Sequence, residues 1–247
     1  MNFIIFDLEL NQDFSSSDNF DGKISSFPFE IIQIGAVKLD KDLKTMATFN
    51  RFVKPTIYQK ISPFIASLTG ITTEQLIKEE TFPAVYQSYA EFIGGADSIF
   101  CIWGMSDIKE IFNNVKYHHI NPELLPKRYL NLQPFMASHF NLPKKTMLRL
   151  QHAVELLRIP MTQPFHDAFH DAYYTTQVFK KIYHPSMEPK LYDPSHIRIR
   201  PKLQKREIDF DQLIKQFEKM YAREMTAEEQ SMISLAYKMG RTNQFLK

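Results

Sequence analysis

Asp7 and Glu9 flank Leu8 at the end of an apolar run that starts at Phe3. Residues two apart in an extended chain project from the same face, so this spacing sets two carboxylates side by side. Such a pair repels itself, and each member needs a cation or a proton nearby. Hard divalent ions such as Mg²⁺ or Mn²⁺ take oxygen ligands of this kind. The same three residues also fit a strand end emerging into solvent. Asp107 follows a second apolar run, residues 98–103, across Gly104-Met105-Ser106. Ligand positions in open α/β sheets lie beyond such strand ends, although an acid there also suits the positive end of a helix dipole. The densest cluster is His166-Asp167-Ala168-Phe169-His170-Asp171. An imidazole here could exchange a proton near neutral pH. His166 and His170 are four apart and raise a zinc alternative, but no H-E-x-x-H glutamate or cysteine accompanies them.

The elements that must position these groups read as follows. Residues 3–8 form a buried central strand. Residues 11–28 are polar and form a long loop. Residues 29–39 and 45–53 form a hairpin turned by Asp40-Lys41-Asp42. Ser62-Pro63 opens a short helix that stops near Gly70. Thr72 starts another, and Phe82-Pro83 begins a third that ends at Gly94-Gly95. Residues 98–103 are a fourth strand, followed by a helix over 107–117 capped by Ser106. A fifth short strand falls at 129–131. Helices follow over 133–140 and 145–157, then from Pro164 to about 183. Strands first, then helices with strands interleaved, give an α/β arrangement with a mixed five-stranded sheet flanked by helices.

The composition allows one sizeable core: 44% of 247 residues are hydrophobic. Net charge is only +2, so bulk basicity does not announce nucleic acid; a carboxylate site can draw its positive charge from bound ions. A single cysteine, Cys101, excludes an internal disulfide framework and a cysteine-rich zinc site and reads as a small buried hydrophobe. Residues 1–7 lack the pattern of a signal peptide, and the expected location is cytoplasmic. Trp103, Phe165, Phe169, Tyr173 and Tyr174 read as core, with base stacking the other use for them. The domain reading is residues 1–186 for the α/β unit and 187–247 for a basic linker and helical extension. Arg198, Arg200, Lys202, Lys205 and Arg206 crowd that linker and could track phosphates. Two amphipathic helices follow, over 210–223 and 227–239, the second opened by the Thr226–Glu229 capping box and stopped by Gly240.

In order along the chain stand Phe6-Asp7-Leu8-Glu9, Glu30-Ile31-Ile32-Gln33-Ile34-Gly35-Ala36-Val37 and Phe52-Val53-Lys54-Pro55. Leu68-Thr69-Gly70-Ile71-Thr72, Trp103-Gly104-Met105-Ser106-Asp107 and the His166–Asp171 cluster follow. Together they resemble the DEDD exonucleases of the RNase T and polymerase-proofreading type, over about residues 1–183. His166 and Ala168 fit the histidine subclass, DEDDh. The Trp-Gly-x-x-Asp form is similar to the Eri-type RNA exonucleases and the KinA-inhibitor-like sporulation proteins. The family often has Thr where this chain has Leu10.

The resemblance implies a ribonuclease-H-like fold and a metal-dependent 3′→5′ exonuclease that uses two divalent ions, Mg²⁺ or Mn²⁺. It implies catalytic roles for Asp7, Glu9, Asp107, His166 and Asp171. Asp7, Glu9 and Asp171 would bind the metal, and His166 would be the general base. Leu8, Leu10, Leu68 and Ile71 would wall a pocket for the terminal base. The expected partner is single-stranded nucleic acid or a 3′ overhang, RNA slightly favoured over DNA, with a protein partner or homodimer possible through the C-terminal helices. The rival reading is a non-catalytic regulator that uses the same fold to bind a protein.

Overall fold

A computed structural model of the chain describes residues 2–12, 29–143, 146–195 and 209–241. The chain divides into two compact units, Met1–His196 and Ile197–Lys247. In the first unit, β1 (Phe3–Asn11), β2 (Glu30–Leu39) and β3 (Thr45–Phe52) form an antiparallel meander. Asp40 turns the β2–β3 hairpin by accepting hydrogen bonds from the Asp42 and Lys44 amides at 2.9 and 2.8 Å. Helices α1 (Pro63–Thr69), α2 (Thr73–Leu76) and α3 (Phe82–Ile93) lead to β4 (Ile99–Ile102), which lies parallel to β1. Next come α4 (Ser106–Tyr117), β5 (Arg128–Asn131, parallel to β4), α5 (Leu132–His139), α6 (Leu150–Leu156) and α7 (Ala168–Ile182). The two-residue β6 (Lys190–Leu191) closes a mixed sheet of order β3-β2-β1-β4-β5-β6.

The central strands β1, β2 and β4 are buried on both faces, whereas β3 and β6 are largely exposed, and period-two alternation along β1 divides its residues between the two faces. Ile4, Phe6 and Leu8 enter one core with Phe82, Tyr86 and Tyr89 of α3 and Ile108, Ile111 and Phe112 of α4. Phe3 and Ile5 enter the other with Val37, Leu39, Cys101 and Phe179 of α7. Both strand neighbours of β1 are covered by helices, so its apolar run is nearly continuous rather than alternating.

Several boundaries differ from the expectation. The sheet has six strands rather than five, because two exposed residues leave no periodic pattern to read. Helix α7 begins at Ala168 rather than Pro164, since the Asp167 side chain caps it by accepting from the Phe169 and His170 amides, both at 3.0 Å. Helix α6 begins at Leu150 rather than 145. Ser106 is the first residue of α4 and not its cap; Met105 holds that position with no side-chain bond.

In the second unit, α8 (Phe210–Tyr221) is capped by Asp209, which accepts from the Gln212 amide at 2.9 Å. Helix α9 (Ala227–Arg241) opens on the expected capping box: Thr226 N–H donates to Glu229 Oε2 at 2.9 Å, and Glu229 N–H donates to Thr226 Oγ1 at 3.3 Å. Gly240 lies inside this helix and does not stop it. The loop expected up to residue 28 and the basic stretch Arg198 to Arg206 fall largely or wholly outside the described residues. Among the described residues no helix is long and apolar enough to cross a membrane.

Candidate active site

The face of β1 that packs on α7 changes character along its length. Phe3 and Ile5 are hydrocarbon, with the Phe3 ring 5.1 Å from that of Phe179 on α7. The next two residues on that face are Asp7 and Glu9. Glu9 ends the regular pairing: it faces Gln33 on β2, and the register then jumps so that Leu10 faces Ile31. This register shift falls directly after the second of the two acids.

The start of α7 is brought onto the same face by an unusually close approach. Gly35, paired with Asp7, lies so near Ala168 that a Cβ built on it would come within 2.2 Å of the Ala168 carbonyl carbon and the Phe169 nitrogen. No side chain fits there, which is the reason for glycine at this point of β2. The approach places Asp171, in the first turn of α7, beside Asp7 and Glu9. One oxygen from each of these three carboxylates lies within 4.8 Å of the other two. Among the described residues this is the one group of three or more potential ligands, and it is all carboxylate, without His166 or His170.

Burial, with the crowding of negative charge added to it, holds these acids above their usual range. Burial, then Asp107, Asp171 and Glu9, push Asp7 strongly upward. Glu9 is 9% exposed, and burial followed by the charges of Asp171, Asp167 and Asp107 raises it to about 8. Asp107, 7% exposed in the first turn of α4, rises to about 7, chiefly through burial, opposed by a hydrogen bond from its own backbone amide. Asp171 rises to about 6 through burial, offset by the His166 amide and the His166 side chain. Asp171 Oδ1 is also buried with no hydrogen-bond partner. A buried orphan acceptor beside two more acids lacks one thing, positive charge. An all-oxygen donor set suits a hard divalent cation.

His166 precedes α7 with φ of 65°, a left-handed backbone that a non-glycine residue adopts only under constraint. Its N–H donates to Asp171 Oδ2 at 3.2 Å. The backbone is thus tied to the carboxylate cluster while the residue is exposed.

The expected pocket residues are dispersed. Leu8 points away from the acids into the α3–α4 core, and Leu10 is half-buried against that core. Ile71 is buried with Ile32, Ile61 and Leu76, whereas Leu68 on α1 is 42% exposed. Of the aromatics, Trp103 donates from Nε1 to the Leu148 carbonyl at 3.1 Å, and Phe165 stacks on Tyr174 with centroids 4.7 Å apart. Sequence reasoning missed the supporting polar residues. Asn11 is fully buried; its Nδ2 donates to the Lys60 carbonyl and its Oδ1 accepts from the Ser62 amide, which fastens the start of α1 to the end of β1. Gln33 joins β2 to Asp167 and Ala168. Its only sequence signal was membership in an ordered motif; nothing local says that β2 reaches residue 167.

Known proteins share the family and the fold. The RNase_T family model, described as "Exonuclease", matches residues 4–179. The mouse protein named 3′-5′ exoribonuclease 1 is 25% identical over 134 residues, covering 50% of this chain and 38% of that protein. The human protein of the same name is 35% identical over 74 residues, 30% of this chain and 21% of that one. The chain therefore spans well under half the length of these curated relatives. Among solved structures, the nuclease domain of 3′hExo, a DEDDh family member bound to rAMP, superposes with a TM-score of 0.64 at 21% identity, over 78% of this chain and 96% of that one. Exonuclease I of E. coli in complex with an oligonucleotide gives 0.57 at 15% identity, over 73% and 41%. These two share the fold, a helix-flanked mixed sheet. With the RNase_T model matched over residues 4–179, most of the first unit, the chain belongs to that exonuclease family.

Proposed function

We propose that the chain hydrolyses phosphodiester bonds at nucleic-acid 3′ ends, releasing nucleoside 5′-monophosphates, with two divalent ions, Mg²⁺ or Mn²⁺. The observation that carries this is the meeting of Asp7, Glu9 and Asp171 within 4.8 Å, with Asp171 Oδ1 buried and unpartnered. Asp7, Glu9 and Asp171 would hold the ions, with Asp107 completing the negative field behind them. When bound, such ions lower the pKa of a bound water and stabilise charge on the leaving 3′ oxygen. His166 takes the proton from the attacking water: its main chain is pinned to Asp171, and its exposed position leaves the imidazole open to solvent.

The curated relatives are named as exoribonucleases, which favours RNA over DNA as substrate. Of the four pocket candidates, Leu10 and Leu68 retain exposed surface that a terminal base could meet, whereas Leu8 and Ile71 are buried in separate clusters. The test is purified protein with Mn²⁺ and 5′-labelled single-stranded oligonucleotides of RNA and of DNA. A ladder shortening from the 3′ end is expected, faster on RNA. Intact oligonucleotides after incubation with folded protein would defeat the reading and leave a binding module.

A further inference from the structure

Gln33 lies outside the carboxylate cluster, yet every polar atom of its side chain reaches toward the segment that presents Asp171. It is fully buried and sits across from Glu9 in the β1–β2 register. Its Nε2 donates to Asp167 Oδ2 at 2.9 Å and to Asn50 Oδ1 at 3.0 Å. Its Oε1 accepts from the Ala168 amide at 3.2 Å. The other Asp167 oxygen caps α7 through the Phe169 and His170 amides. Residues 167 and 168 thus dock on one amide, with His166 just before them and Asp171 one turn later.

We propose that Gln33 is a positioning residue for the ion site: through Asp167 and Ala168 it sets where the first turn of α7 lies, and so where Asp171 meets Glu9. The proposal rests on the ion-binding reading of the three carboxylates. Asp167 needs a donor at this point and the Ala168 amide needs an acceptor, and a primary amide supplies both. Glutamate at 33 would satisfy Ala168 but set a second carboxylate against Asp167. Methionine would satisfy neither. A reciprocal exchange restores the pattern: in Gln33→Glu with Asp167→Asn, the new asparagine donates where glutamine did, and the new glutamate accepts. Asn50 can turn its amide to donate to the glutamate.

The experiment is a double-mutant cycle on the full chain, with Mn²⁺ affinity read by electron paramagnetic resonance and folding by circular dichroism. Gln33→Glu is expected to weaken Mn²⁺ binding by about 10–100-fold, as loss of a group supporting metal ligands does. The double variant should recover most of that loss, a coupling on the order of tenfold. A group that only stabilised the fold would shift melting temperature without this rescue of affinity. Should Gln33→Glu not fold, Gln33→Met serves, with weaker Mn²⁺ binding and a lower kcat at unchanged KM expected. Folded Gln33 variants that bind Mn²⁺ as the parent does, or a double variant that merely sums the single losses, overturn the proposal. A parent protein that binds Mn²⁺ but leaves RNA and DNA oligonucleotides intact defeats the nuclease reading alone; the affinity cycle still decides the role of Gln33.

Discussion

The two faces of β1 carry the same strand into opposite environments. Ile4, Phe6 and Leu8 meet hydrocarbon for the whole length of the strand, packed among aromatic and branched residues of α3 and α4. Phe3 and Ile5 begin the other face in the same way, and then Asp7 and Glu9 replace hydrocarbon with charge under the start of α7. The uniform face is a solved packing problem and needs nothing further. The mixed face is unsolved in the protein alone: its acids titrate high, and one buried oxygen has no partner. Stability on one side thus allows incompleteness on the other, and the incompleteness is where an ion belongs.

The sharpest way to break this contrast is to remove a charge from the mixed face. Asp7→Asn should reduce hydrolysis by roughly a thousandfold or more, since ion-held transition-state charge is worth several kcal/mol. It should also raise the melting temperature of the ion-free protein, because it removes a buried carboxylate that repels three others. Thermal melts in a chelator and single-turnover rates in Mn²⁺ check the pair of outcomes; a variant that loses stability without the ion would show that Asp7 is satisfied in the fold as it stands.

Next in size is His166→Ala, which should slow hydrolysis by about 10²–10⁴-fold if its imidazole is the general base. Mn²⁺ affinity should hardly change, because the tie to Asp171 runs through the main-chain N–H. Full rate at neutral pH in this variant would remove the general-base role. Gly35→Ala comes third and joins the two faces in one test. Its Cβ would collide with the backbone of Ala168, so α7 must shift. Overpacking of this kind typically costs about 1–3 kcal/mol, and here Mn²⁺ affinity should fall along with the melting temperature. Affinity unaltered by the substitution would mean that the cluster tolerates displacement of α7.

The contrast also explains how far the sequence could be read. The period of a strand puts Asp7 and Glu9 on one face of β1, but that spacing equally fits a strand end facing solvent; the resemblance of the ordered motifs is what set them apart. Asp107 and Asp171 were legible as an ordered set with them, although no spacing along the chain says that α7 folds back onto β2. The start of α7 was misjudged because Pro164 is a good first helical residue, whereas the cap that decides the matter, Asp167, draws on a glutamine 134 residues away. The sixth strand escaped notice because two exposed residues held by pairing to Arg128 and Tyr129 have no local signature. Leu10 looked anomalous beside the acids; in the fold it follows the register jump, and it packs against the hydrocarbon core rather than among the charges.

A smaller effect should appear in stability against pH. The folded, ion-free protein holds protons on Asp171, Asp107 and Glu9 more tightly than the unfolded chain does. Their contribution is full below the unfolded carboxyl range, near about pH 4. It is lost as pH rises through about 6 for Asp171, about 7 for Asp107 and about 8 for Glu9. The melting temperature in chelator should therefore fall between mildly acidic and mildly alkaline buffer. Excess Mg²⁺ or Mn²⁺ should flatten the dependence by supplying the missing positive charge. A melting temperature that rises over this interval without an ion would reverse the sign and undo the account of the mixed face.

Leu8→Ala should leave the ion site least disturbed, and it sharpens the contrast from the other side. The side chain lies between two acids in sequence but faces the α3–α4 core. Truncation should therefore cost about 2–5 kcal/mol of stability, as for other buried leucines. Mn²⁺ affinity should match the parent's, and kcat measured well below the melting temperature should fall little. If KM for an oligonucleotide instead rose sharply while stability held, Leu8 would belong to the substrate pocket, and the division of β1 into a packing face and a working face would fail at that residue.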